Sequence, residues 1–234
     1  LNSVTNVLGG STAPFIRELT KEQVTSLKNL LAEAERPLFL VGGGLDFSFF
    51  KKNLEHLHSL GIPIATTWNA ADYLDSEDPL FAGRPNTYGM RWANTVIQQS
   101  DLVIAIGARL GLQQTGFNWE CFVPIGKIIR IDIDQHELDV SHPNSDLSLN
   151  LDAKEGLESI LNLAAELNIK EKFASWLDFI QFVRRELPTV EKATYQFSEY
   201  VNPFALVEEL GGLLSEVDSV IPCSSGGSYT SMMQ

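Results

Sequence analysis

Three short clusters hold the residues best suited to chemistry: Gly42-Gly43-Gly44, Gly107-Ala108-Arg109 and Asp132-Ile133-Asp134. Each closes an apolar run. Glycines after a strand let the backbone turn tightly and approach a phosphate, with the next helix start aimed at the anion. The same glycines also serve a strand-to-helix turn with no ligand, and Gly42 to Gly44 do not form G-x-G-x-x-G. Arg109 is able to clamp a phosphate through two parallel N–H groups or to pair with a surface carboxylate. Asp132 and Asp134 suit ribose hydroxyls at a strand end, and an aspartate there serves equally as a helix N-cap. Both readings stay open at all three places.

No other constellation carries a reaction. His56 and His58 lie two apart on a predicted helix and face different directions. His136 and His142 lack ligand-spaced partners, and Cys121 and Cys223 are too few for a disulfide framework or a zinc site. No G-x-S-x-G or Ser-His-Asp pattern is present. No catalytic residue and no metal ligand is therefore assigned. The net charge of −13 argues against a nucleic-acid partner, because binding there rests on Lys and Arg neutralising phosphates. It suits a soluble cytoplasmic protein with solvated acidic faces. No apolar run reaches the ~18 residues of a membrane span and no signal peptide opens the chain. The absence of Met at position 1 and the stop inside Tyr229–Gln234 lead us to expect an internal piece of a longer protein.

The clusters need elements to hold them. Residues 1–19 lack periodicity and read as a linker. Thr20 and Gln23 form a capping box for a helix with Val24, Leu27, Leu30 and Leu31 on one side. Strand-like apolar runs follow at 38–41, 62–66, 102–106, 127–133 and, more weakly, 147–151. Helical stretches stand between them, through Phe50 to Leu60, Met90 to Ser100 and Lys154 to Leu167. Fully apolar runs suit parallel strands covered on both faces. Their alternation with helices predicts an α/β fold, a doubly wound, Rossmann-like parallel sheet of about six strands, over 20–170. A helix over 171–187 and an extended connector to 200 come next. Asn202 and Pro203 then open a new helix, and Ser219-Val220-Ile221 reads as a strand. The 201–234 segment is a partial αβ unit, the expected start of a further domain.

The order of these segments resembles the central domain of the acetolactate synthase group of thiamine-diphosphate enzymes. The markers are Arg36-Pro37 through Gly44, Ile62 to Thr67 with Trp68-Asn69, and Asp78-Pro79-Leu80 through Gly89. Ala93-Asn94, Ser100-Asp101-Leu102, Gly107-Ala108-Arg109, Thr115-Gly116, Ile131 to Asp134 and Asp152-Ala153 continue it, in register over about 20 to 165. Val201 to Gln234 is similar to the opening of the group's cofactor-diphosphate domain.

The resemblance implies a whole enzyme that uses thiamine diphosphate and Mg²⁺. That enzyme decarboxylates a 2-keto acid, pyruvate above others, ligates the carbanion to a carbonyl acceptor, and assembles as a homodimer or homotetramer. The group's N-terminal domain and its Mg²⁺-placing Gly-Asp-Gly…Asn motif fall outside this chain, so the chain alone is expected to be inactive. The group's central domain holds FAD in a largely structural role. Position by position, the implied contacts are Gly42, Gly43, Gly44, Thr67, Trp68, Asn69, Gly107, Ala108, Arg109, Asp132, Ile133, Asp152 and Ala153. Two departures fall near the flavin side. The group's Arg-Phe-Asp-Asp-Arg is here Arg109-Leu110-Gly111-Leu112-Gln113, and its Gly-Met-His-Gly is Asn86-Thr87-Tyr88-Gly89. FAD, ADP or an empty cleft therefore stay open, as do a 2-keto acid or oxalyl-CoA-type decarboxylase and a non-catalytic nucleotide-binding module.

Overall fold

Five apolar runs pair into one parallel sheet: β1 (Pro37–Val41), β2 (Ile64–Thr66), β3 (Leu102–Ile106), β4 (Lys127–Asp132) and β5 (Leu147–Asn150). Their spatial order is β2-β1-β3-β4-β5. The computed structural model describes residues 18–140, 142–167, 169, 172–196, 199–215, 217–221 and 226–233. The linker expected over 1–19 therefore lies almost wholly outside the described residues.

The helices are α1 (Lys21–Glu33), α2 (Phe47–Lys52), α3 (Leu54–Leu60), α4 (Arg91–Gln99), α5 (Leu112–Thr115) and α6 (Gln135–Asp139). They continue with α7 (Ala153–Leu167), α8 (Ala174–Glu186), α9 (Pro203–Leu213) and α10 (Gly227–Met232). Helix α1 opens on the capping box expected at Thr20 and Gln23, each side chain bonded to the other's backbone N–H. It buries Leu27 and Leu31 and packs on α7, which also meets α3. Helix α4 packs on α8 instead. Every residue of β1 and β3 is buried, as a parallel sheet covered on both sides requires.

The register matters for the site. Val41 sits beside Ile106, and Ile106 beside Ile131. The turns after β1, β3 and β4 therefore leave the sheet level with one another.

Several expectations shift. Among the described residues five strands form rather than about six. The sixth place is taken by a single parallel bridge, Ile64 to Phe81, along the outer edge of β2. The stretch at 219–221 forms no strand. A strand needs a neighbour for its backbone groups, and Val220 and Ile221 stand exposed instead. The helix expected over Phe50 to Leu60 is two helices broken at Asn53. The connector before α9 is not fully extended, because Lys192–Tyr195 makes a 3₁₀ turn. Asn202 caps α9 as expected, its side chain accepting from the Phe204 N–H at 2.9 Å.

Candidate functional site

At the C-terminal edge of the sheet, the turn after β1 meets the turn after β3. The contact is backbone against backbone. Gly42 N–H donates to Ile106 O at 3.0 Å, Gly44 N–H to Gly107 O at 2.9 Å, and Gly107 N–H to Ile131 O at 2.9 Å. A Cβ on Gly42 would stand 2.2 Å from Gly107 O. Gly107 has φ +55°, and a Cβ there would lie 2.7 Å from Gly44 C and Leu45 N. These glycines are thus explained by the close approach of two loops. The first helix start beyond them is already filled, since the Asp46 carboxylate accepts from Phe49 N–H at 2.8 Å.

The strand order reverses between β1 and β3, the place where open α/β sheets take ligands. A cleft of about 940 Å³ opens there. Gly43, Gly44 and the turn Thr67-Trp68-Asn69 form one wall. Gly107, Ala108 and Arg109 form the floor, and Asp132 and Ile133 with Asp152 and Ala153 form the far wall. The structure brings twelve of the thirteen anticipated positions together. Gly42 is not among the lining residues, because the Gly107 carbonyl occupies the space in front of it.

The lining also includes Asn86, Gly111 and Gln113, from the two stretches whose departures fall near the flavin side, together with Gln114 and Tyr229, which sequence reasoning did not assign to this cleft, and Asp134, left undecided. Asn86 sits on a loop and the two glutamines on the short helix α5, and the loop and helix bind each other. Thr87 N–H donates to Gln113 O at 2.9 Å, and the Gln114 side chain donates to Pro85 O. No periodicity marks such positions. Tyr229, on α10, reaches the cleft by packing edge-on against Trp68, with ring centroids 5.0 Å apart. Arg84 Nε tethers the same helix by donating to Met233 O at 3.1 Å.

The alternatives left open at the charged positions now separate. Asp134 is the N-cap of α6, accepting from His136 N–H at 3.0 Å. Asp132 gives one oxygen to the Asp134 N–H at 2.9 Å, and its other oxygen has no hydrogen bond among the described residues. Arg109 is mostly exposed and lies 3.6 Å from Asp134 and 3.4 Å from Glu137. Those distances describe loose ion pairs, worth under about 1 kcal/mol in solvent. A buried partner fixes α6 in place. Arg130 donates to Glu137 O and Val140 O from inside β4. Burial pulls its pKa below the ordinary guanidinium value, and Glu137 and Asp132 oppose that shift. Asn150 on β5 holds the end of β4 by donating to Asp132 O and Ile133 O.

The cleft therefore offers one cation, three carboxylates, several amides and an indole. Trp68 Nε1 is buried with no acceptor among the described residues. Among the described residues, no group of three or more His, Cys, Asp or Glu is placed to hold a metal ion. No helix is long and apolar enough to cross a membrane among them.

Fold and cleft together define a Rossmann-like α/β domain with its site at the strand-order reversal. The chain belongs to the thiamine pyrophosphate enzyme family, whose central-domain model matches residues 24–160. It is 33% identical over 199 residues to a probable acetolactate synthase large subunit of Methanocaldococcus jannaschii, covering 84% of this chain and 32% of that protein. It is 29% identical over 205 residues to acetolactate synthase 2, chloroplastic, of Zea mays, covering 85% and 31%. A match to the acetolactate synthase large subunit of Corynebacterium glutamicum is 30% identical over 168 residues, covering 71% and 26%. The chain spans about a third of the length of these relatives.

Proposed function

We propose that this chain is the central domain of an acetolactate synthase-type enzyme, and that its cleft holds the adenosine diphosphate portion shared by FAD and ADP. One observation carries the reading. Twelve positions drawn from five separate segments between Gly43 and Ala153 converge on one cleft at the strand-order reversal. The donor set fits the adenosine end. The open oxygen of Asp132 suits ribose hydroxyls, and Arg109, held only by loose pairs, is free to turn its fork toward a diphosphate. The Arg109-Leu110-Gly111-Leu112-Gln113 stretch supplies no second cation. That favours ADP as a second occupant beside FAD.

Thiamine diphosphate, when bound to the intact enzyme with Mg²⁺, supplies the electron sink on which a 2-keto acid, pyruvate in this reading, loses CO₂ and is joined to a carbonyl acceptor. The residues of this chain bind and orient. They assign no proton transfer, so the isolated chain is expected to be inactive. In this reading the intact protein is at least a dimer and works in the cytoplasm.

Absorbance of the purified intact enzyme, with chromatography of what it releases on denaturation, tests the reading. Yellow protein releasing FAD, or colourless protein releasing ADP, supports an adenosine diphosphate site. Protein releasing neither, and binding neither when they are added, contradicts it. The isolated chain incubated with pyruvate, thiamine diphosphate and Mg²⁺ should form no acetolactate.

A further inference from the structure

A second cavity, of about 700 Å³, opens at the other end of the same strands. Glu35 and Arg36 precede β1 and Gln99 precedes β3, the strands that Gly43, Gly44 and Gly107 follow, while Lys172, Ser175, Trp176 and Phe179 come from α8 and the turn before it. Five residues of strand, at about 3.3 Å each, put the two sites roughly 17 Å apart. The volume falls within the ~300–1,000 Å³ usual for small-molecule sites.

The core of this second site is Arg36, and the surrounding bonds fix it. Its backbone N–H and that of Glu35 donate to the two oxygens of Asp101, each at 2.9 Å, and its carbonyl accepts from Asp101 N–H at 3.2 Å. Its side-chain Nε donates to Gln99 O at 2.8 Å. The guanidinium is therefore held by its inner nitrogen, and its two outer nitrogens have no hydrogen-bond partner among the described residues. A half-buried, pre-set guanidinium fork of this kind matches a carboxylate.

A flat apolar surface lies in the same cavity. Trp176 is buried and donates from its indole nitrogen to Pro37 O at 2.9 Å. Phe179 stacks on it at 5.4 Å with 12° between the planes and remains 37% exposed. Lys172 adds a second cation, tethered to Ala32 O at 2.6 Å. Arg36 and Lys172 stand here with the carboxylates of Glu35 and Asp101, and Asp101 is already engaged by two backbone N–H groups, so the outer guanidinium nitrogens of Arg36 are what the cavity offers an anion.

We propose that this cavity is a second ligand site, for a small monoanion with a flat apolar body, an aromatic carboxylate, its charge on the outer nitrogens of Arg36 and its ring against Phe179. Nothing in this assignment depends on what occupies the glycine cleft.

Calorimetric titration of the chain with naphthalene-2-carboxylate tests it, with naphthalene-2-carboxamide as the uncharged control. We expect saturable one-to-one binding of the carboxylate, at least about tenfold tighter than that of the amide, because the amide brings no charge to the guanidinium fork. Arg36→Gln and Phe179→Ala should each weaken it about tenfold, while Arg109→Gln in the distant cleft leaves it unchanged. The indole N–H resonance of Trp176 should shift on binding and those of the other tryptophans should not. Equal affinity for carboxylate and amide overturns the proposal without any variant. So does the absence of saturation at millimolar concentration, or full affinity in Arg36→Gln.

Discussion

The two ends of this sheet are built by opposite means. At the C-terminal edge, Gly42, Gly44 and Gly107 omit side chains so that two loops can touch along their backbones. At the N-terminal edge, Asp101 supplies a side chain that gathers the backbone N–H groups of Glu35 and Arg36. Their charges differ as well. Arg109 faces Asp132, Asp134 and Asp152 at one end, while Arg36 and Lys172 stand with Glu35 and Asp101 at the other. At one end Gly42, Gly44 and Gly107 leave no room for a Cβ, and at the other the two Asp101 oxygens hold two backbone donors.

Substitutions can break that contrast. The largest effect is expected from Gly107→Ala. The new methyl would meet Gly44 and Leu45 backbone at 2.7 Å in a left-handed backbone conformation. We expect a loss of about 3 kcal/mol in urea unfolding, combining overpacking with backbone strain. Asp101→Ala comes next, at about 2 kcal/mol, because two backbone donors lose a charged acceptor. A smaller figure for Asp101→Ala than for a surface substitution would show that the clamp is not structural. Gly111→Ala separates loop packing from mere glycine content. No atom lies within 4 Å of its would-be Cβ, so the change should stay within about 0.5 kcal/mol of zero. Arg109→Gln should alter stability least, also by under about 0.5 kcal/mol, yet weaken ADP binding about tenfold by calorimetry.

The fold was legible because parallel strands buried on both faces announce themselves as unbroken apolar runs, as at Leu102–Ile106. The strand read at 219–221 failed for a related reason. Among the described residues no sheet edge stands beside Val220 and Ile221, and a strand-like pattern alone forms no strand without one. Within the cleft, residues at strand ends could be placed from sequence because the fold puts strand ends together. Tyr229 could not, since its approach to Trp68 depends on how α10 folds back over the site. The partners of Arg109 were equally hidden. Glu137 reaches it only because buried Arg130 pins α6. The groove around Arg36 escaped notice because Arg36 and Phe179 lie far apart in sequence. Helix α8 turns Trp176, Ile180 and Val183 inward and leaves Phe179 partly exposed.

Titration of the chain with ADP, read by calorimetry and repeated with FAD, tests the central claim most directly. Saturable one-to-one binding is expected, weakened about tenfold by Arg109→Gln and by Asp132→Asn, and unaffected by Arg36→Gln. A chain whose circular dichroism shows it folded, yet which binds neither nucleotide at millimolar concentration, would contradict it.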